Sequence, residues 1–472
     1  MAKIKVPVWL MAVGMSVTLV GGAAVGYATR GTVDSAKPTQ AALPAGFNKV
    51  LATYATIQGN YYKDVSATKL ADGAVNGMLS SLDDPYSVYL QNSDKTSLDS
   101  TISASFGGIG ATVQQGDNKL TIESILADTP AKKAGLQVGD QLLEVNGKSV
   151  EKLDVNAAVA KIRGKIGTKV KVTVRRDGHE MTFTMTRAKI TTDTVTYELA
   201  KANKQVGVIT MATFSEPTAS QFKKAVKALR KEGAKRFVLD LRGNPGGMLD
   251  TALQIASMCL KDGQTIVKVR PRTGKTEVYL AGKDYDKGFK VTEPLAVVID
   301  GNSASASEIL SAALNQNGRG PLVGVKSFGK GTVQNVAQMS ATSELKLTIA
   351  KWLTPNGSWI HHKGLKPTIK VDYPDYAKIG MISSSSLKAG DQKQDVKSLQ
   401  EMLKVLGFDP KSDNGFYGPT TQAAVKAFQT ANKLDATGTA DTKTIAAVLA
   451  KLGAKYQGDD PMLDAAIKAV AK

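Results

Sequence analysis

The chain has 472 residues, with 61 lysines and arginines against 42 aspartates and glutamates, for a formal net charge of +19. That length exceeds one ordinary core and predicts three or four domains. The positive balance suits an anionic setting such as a membrane face or acidic wall polymers; the lysines are scattered without interleaved aromatics, which excludes nucleic acid as a partner. Cys259, the single cysteine, rules out an intrachain disulfide. Its neighbours Ile255, Ala256, Met258 and Leu260 make it a buried helix residue rather than a nucleophile.

In chain order, Lys3 and Lys5 precede an uncharged run over residues 6–29, closed by Arg30. As a helix this run rises about 36 Å, enough for a hydrocarbon core of about 30 Å. Residues 1–30 are therefore expected to be a signal anchor, with the start in the cytoplasm and the rest outside. The small residues Ala23, Ala24, Gly26 and Ala28 leave cleavage as the alternative. Residues 31–45, with Pro38 and Pro44, read as a linker. Helical spacing of Val50, Leu51, Tyr54 and Ile57, then Leu70, Val75, Met78 and Leu82, predicts a helical region within residues 46–104. The turn Asp84-Pro85-Tyr86-Ser87 ends those helices.

Residues 105–189 form a strand-rich unit, with alternation at Val170, Val172, Val174 and at Met181, Phe183, Met185. From residue 190 to 375 buried strands alternate with helices. Val206-Gly207-Val208-Ile209, Phe237-Val238-Leu239 and Leu295-Ala296-Val297-Val298-Ile299 are apolar runs of strand length, which predicts an α/β domain with a mostly parallel sheet. Residues 387–452 return to helical spacing, at Val396, Leu399, Leu403, Val425 and Phe428. Residues 453–472 read as a C-terminal tail.

Two stretches carry the chemistry. Ser303-Ala304-Ser305-Ala306-Ser307-Glu308 follows a buried strand and opens a helix, and Ser327-Phe328-Gly329-Lys330-Gly331-Thr332 presents one lysine among glycines. A serine with a lysine base cuts amide bonds without histidine or metal. The base must be neutral, and an ordinary lysine is well under ~0.1% neutral at pH 7, so Lys330 must be buried. Phe328 and its small neighbours are expected to provide that apolar packing. Asp240-Leu241-Arg242-Gly243-Asn244-Pro245-Gly246-Gly247 also follows a strand, and its glycines can aim N–H groups at an anion. Gly324 to Lys330 nearly matches a phosphate-binding loop, but Gly331 stands where the magnesium-binding hydroxyl belongs. A histidine triad would have to draw on His179, His361 or His362. The first lies in a predicted hairpin turn and the others follow the turn at Pro355-Asn356-Gly357, so none is assigned to the site. Their spacing makes no metal site, and no cofactor is called for.

Together with Asp83-Asp84-Pro85-Tyr86-Ser87, these motifs resemble the C-terminal processing peptidases, or tail-specific proteases, over residues 45–372. The resemblance implies a multidomain α/β protein: a crotonase-like protease core, an inserted β-rich PDZ domain, N-terminal helices and a small all-α C-terminal domain. It makes Ser305 the nucleophile, Lys330 the base and Gln334 the residue that orients the lysine. Ser303 and Ser307 are then structural, and the oxyanion donors map to the N–H of Ala306 and of Gly246 or Gly247. The family often has Asn at the position of Asp300, a difference expected not to matter.

Residues 105–189 resemble a PDZ domain, with Phe106-Gly107-Gly108-Ile109-Gly110 as the loop that captures a free protein C-terminus. Arg163 matches a segment at the PDZ surface and is a candidate gate contact coupling PDZ position to activity. Residues 389–449 resemble the peptidoglycan-binding domain, through Gly390-Asp391, Leu406-Gly407, Gly415-Phe416-Tyr417-Gly418-Pro419 and Phe428-Gln429. The expected protein is a membrane-anchored, wall-associated serine endopeptidase acting on protein tails, with its N-terminal helices available for a homodimer. The rival reading is a catalytically silent PDZ scaffold, against which intact Ser305, Lys330 and Gln334 stand.

Overall fold

The computed structural model describes residues 46–116 and 119–471. The apolar run of residues 6–29 lies outside the described residues, among which no helix is long and apolar enough to cross a membrane.

The catalytic region is organised by a six-stranded sheet in the order Val195–Leu199, Val206–Met211, Arg236–Asp240, Leu295–Ile299, Leu322–Gly324, Ile369–Lys370. The first pair is antiparallel and the rest are parallel. Parallel strands need cover on both faces, which is why these runs are continuously apolar. Ile209, Phe237, Leu239, Val297 and Ile299 share one core with the helices Thr218–Lys231, Leu249–Cys259 and Ala306–Gln316. Val206, Val208, Val238, Ala296, Val298 and Val323 line a second core.

That second core corrects the reading of residues 453–472 as a tail. The helix Thr442–Gly458 runs into this stretch, and a further helix, Pro461–Ala471, follows. Met462, Ala466, Ile467 and Val470 of that helix are buried against the catalytic strands. The spacing is helical and amphipathic. Its four buried side chains are too few to stand out without the sheet they cover.

A second sheet holds the hairpin Thr332–Ser340 and Ser343–Leu353, together with Thr265–Pro271 and Glu277–Leu280. The N-terminal strand Val88–Gln91 pairs with Ser343–Leu353, Val88 opposite Lys346. This pairing carries the Asp84–Ser87 turn from the N-terminal region to the strands that follow Lys330. Upstream, the helices Phe47–Asn60 and Ala67–Ser80 bury no residue and leave Val50, Leu51, Tyr54 and Met78 exposed.

The 105–189 unit is an insertion whose two ends run side by side. Ser105–Gly108 on entry pairs antiparallel with Ala188–Thr191 on exit. Its own sheet buries Val170, Val172 and Val174 at alternate positions, as the alternation predicts, under the helix Val155–Ile162. The helices Gln394–Val405, Pro419–Ala431 and Thr442–Gly458 enclose a separate core of Val396, Leu399, Leu403, Tyr417, Val425 and Phe428.

Candidate active site

Ser305 sits at the junction between the strand Leu295–Ile299 and the helix Ala306–Gln316. Its backbone has φ 54° and ψ −113°. A serine rarely tolerates that left-handed region, and the strain is the kind that exposes a nucleophile on a sharp strand-to-helix bend. Of the three serines, Ser305 alone is part-exposed. Ser303 Oγ donates to Leu241 O at 2.8 Å and Ser307 Oγ to Asn244 O at 2.9 Å, so these two buried hydroxyls stitch the serine turn to the glycine-rich loop.

Asp300 anchors the same junction. Its Oδ1 accepts from the N–H of Gly243, Asn302 and Ser303, and its Oδ2 accepts from Tyr373 OH at 2.9 Å. An asparagine carbonyl could accept the same three backbone bonds, and its amide could face the tyrosine hydroxyl. The Asp/Asn difference is therefore accommodated by the geometry.

Glycine is required at positions 246 and 247. Gly246 has φ 100°, and a Cβ there would lie 2.9 Å from both Ala306 N and Ser305 Cβ. Gly247 has φ 144°, and a Cβ would meet Phe214 O at 2.2 Å. The two differ in their donors. Gly246 N–H is committed to Asn244 Oδ1 at 2.8 Å, whereas the N–H groups of Gly247 and Ala306 have no partner among the described residues.

Lys330 precedes the strand Thr332–Ser340, and its Nζ lies 4.7 Å from the centre of the Tyr86 ring. Burial, then the positive charge of Lys346, pushes its amine down to about 8, against the opposing pull of Asp84 and Glu308. Phe328 does not supply this burial: it is 53% exposed. The aromatic ring against the amine belongs to Tyr86, which the turn Asp84–Ser87 delivers from 244 positions upstream (330 − 86 = 244).

Gln334 lies on the strand after the lysine and donates from Nε2 to Thr332 Oγ1 at 2.9 Å and Thr348 Oγ1 at 3.0 Å. Among the described residues it makes no hydrogen bond to Lys330. His361 accepts from Gly331 N–H at Nδ1, 3.2 Å, and stacks with Trp359, supporting the lysine loop. Cys259 is buried and its thiol is pushed up to about 12 by that burial, so it is inert. No cluster of metal-binding side chains occurs among the described residues.

Sequence reasoning gave no role to Glu308, which is fully buried. Its Oε2 accepts from the N–H of Ser305 at 2.9 Å and of Lys330 at 2.8 Å. Its Oε1 accepts from Ser327 Oγ and from Gly329 N–H at 2.7 Å. Burial raises this carboxyl, and the four donors pull in the opposite direction. The signal was the spacing Ser305-x-x-Glu308, a helix-capping pattern whose acid reaches back to the N–H of the serine.

The five residues of the expected carboxylate loop divide. Phe106, Gly107 and Gly108 pair with Ile190, Lys189 and Ala188 in the entry ribbon. Ile109 and Gly110 form the bend beyond it, and their N–H groups have no partner among the described residues. The Arg163 guanidinium stacks 3.9 Å from the centre of the Phe106 ring, and Gly164 N–H donates to Gly107 O at 3.0 Å.

Ser305 Oγ and Lys330 Nζ make no hydrogen bond among the described residues; the strained serine and the buried lysine are brought together through their backbone N–H groups on Glu308. A serine peptidase site fits this arrangement on an α/β scaffold, and the comparisons with known proteins name that class. Residues 205–371 match peptidase family S41. Residues 11–94 match the activating protease CtpB N-terminal domain, 99–175 the PDZ domain and 392–448 the peptidoglycan binding domain. The carboxy-terminal processing protease CtpA of Bacillus subtilis (strain 168) is 42% identical over 428 residues, covering 90% of this chain and 90% of that protein. The carboxy-terminal processing protease CtpB of the same organism is 40% identical over 440 residues, covering 90% and 91%. The chain belongs to the S41 peptidase family. It is a carboxy-terminal processing serine protease with a PDZ domain and a peptidoglycan-binding domain.

Proposed function

We propose that this protein is an extracytoplasmic endopeptidase that captures free protein C-termini in its PDZ domain and cleaves near the tail through a Ser305/Lys330 acyl-enzyme mechanism. The observation that carries it is a lysine amine brought to about 8 by burial, in a loop bound through Glu308 to the turn that holds the strained serine. Neutral Lys330 takes the proton from Ser305 Oγ as the oxygen attacks the scissile carbonyl. The protonated amine then returns the proton to the leaving amine, and water repeats the sequence on the ester.

The N–H groups of Ala306 and Gly247 receive the oxyanion. Their unpaired state supports this assignment over one using Gly246. Gln334 acts on the lysine through its strand and its two threonine partners. The bend at Ile109 and Gly110 takes the substrate carboxylate, and Arg163, stacked on Phe106, couples PDZ position to activity.

The peptidoglycan-binding domain holds the enzyme at the wall, and residues 1–30 anchor it in the membrane with the catalytic region outside. The exposed apolar residues of Phe47–Asn60 and Ala67–Ser80 support a homodimer through these helices. The test is a purified fragment lacking residues 1–30 supplied with an unstructured protein ending in apolar residues. The fragment degrades it, and Ser305→Ala and Lys330→Ala do not. Full activity in Lys330→Ala would remove the dyad.

A further inference from the structure

The peptidoglycan-binding unit is placed between two parts of the protease. The catalytic strand Ile369–Lys370 precedes it and the helix Pro461–Ala471, which covers that same sheet, follows it. The chain therefore leaves the catalytic domain, builds the wall-binding domain and returns.

Both crossings are tied to the loops that shape the active site. On the way out, Tyr373 OH donates to Asp300 Oδ2 at 2.9 Å, and Asp300 Oδ1 holds Gly243 N–H and Ser303 N–H. On return, the Asp460 carboxylate takes both Nη groups of Arg242, Nη1 to Oδ1 at 2.8 Å and Nη2 to Oδ2 at 2.7 Å. Arg242 also binds Asp240 through Nε and Nη2, at the end of the strand that leads into the glycine-rich loop. Asp460 Oδ1 accepts from Leu463 N–H as well, capping the returning helix. Tyr376 OH donates to Asp459 Oδ2 at 2.9 Å, joining the outgoing and returning segments.

We propose that Asp460 is a positioning residue for the peptidase reaction: through its bidentate pair with Arg242, the returning C-terminal helix holds the 243–247 loop in the conformation that aims Gly247 N–H at the oxyanion. This rests on the reading of that loop as an oxyanion donor. A bidentate guanidinium–carboxylate pair fixes orientation as well as distance, and Arg242 lies one residue before the first glycine of the loop. The loop has little side-chain packing of its own to set its shape. Thr213 Oγ1 and Phe214 N–H hold Gly246 O, and Ser307 Oγ and Ala304 N–H hold Asn244 O, while Asp300 and the Arg242 pair fix the leading end of the loop.

The test uses the fragment lacking residues 1–30 with otherwise full-length sequence. Asp460→Asn keeps the shape and the capping oxygen but removes the charge. It is expected to lower kcat about tenfold with KM unchanged, because the donors act on the transition state. Asp460→Glu restores part of the loss. Ile467→Ala loosens the same helix without touching Arg242 and is expected to lower Tm while kcat below the transition stays at the wild-type value. The inference is overturned if folded Asp460→Asn keeps wild-type kcat, or if both variants lose kcat in step with Tm. Activity in Ser305→Ala would instead overturn the reading of the site itself, so the two failures are distinct.

Discussion

Ser305 and Lys330 are joined through a single oxygen atom: Glu308 Oε2 accepts the backbone N–H of the serine at 2.9 Å and of the lysine at 2.8 Å. The Ser305 turn and the Lys330 loop are 25 positions apart (330 − 305 = 25), and this fully buried carboxylate ties them together. In the proposed Ser305/Lys330 unit no third side chain takes up slack, so fixed loop spacing would substitute for it.

Replacing Glu308 therefore strikes both loops. Glu308→Ala strands four donors in the interior, at about 1–3 kcal/mol for each one left unsatisfied. A drop in Tm and a loss of kcat of about 100-fold or more are expected. Glu308→Gln turns an amide N–H₂ toward N–H donors and is expected to be little better. Thermal melts and initial rates on the same preparations check both.

The pH dependence follows from Lys330. With the neutral amine as the proposed base, and the amine held at about 8, kcat/KM is expected to rise with pH through about 8 and level above it. Near pH 7 about a tenth of the enzyme carries the neutral base. Lys346 depresses the Lys330 amine, so Lys346→Gln moves the inflection to higher pH and lowers activity at pH 7. A pH–rate profile of the two proteins decides it; an unmoved inflection removes Lys346 from the account.

Gly246→Ala places a methyl group 2.7 Å from Ala304 O and 2.9 Å from Ala306 N, in a backbone region unsuited to alanine. The methyl group pushes the loop away from the serine turn, and kcat is expected to fall by about 10²–10³, as for loss of an oxyanion donor. Binding of a peptide to the PDZ domain should be untouched, which calorimetry can measure.

Arg163→Ala removes the guanidinium stacked on Phe106. Activation by a C-terminal peptide is expected to be lost while the peptide still binds and the fold is intact. Unchanged activation would sink the coupling role.

Much of this was legible in the chain. Val206–Met211 and Leu295–Ile299 read as buried strands because a parallel sheet demands unbroken apolar runs. The serine-rich turn and Lys330 stood out because each loop sets reactive groups among small residues; the family resemblance, not the loop itself, singled out Ser305 from three serines. The source of the lysine's burial was not legible: Phe328, its neighbour in sequence, points to solvent, and the ring beside it belongs to Tyr86. Adjacent residues in a loop need not share an environment, whereas the pairing of Val88 with Lys346 brings distant ones together.

The sequence alone determined the candidate reactive stretches, the order of the domains and the strand-forming runs, since these depend on residue type and local spacing. Tertiary structure decided which groups share a site. It placed Glu308 between the two loops, gave the free N–H to Gly247 rather than Gly246, and drew the last helix back onto the catalytic sheet. Each of these depends on long-range packing: a buried carboxylate gathers whatever donors the fold brings to it, and an exposed sheet face takes the apolar helix that can reach it.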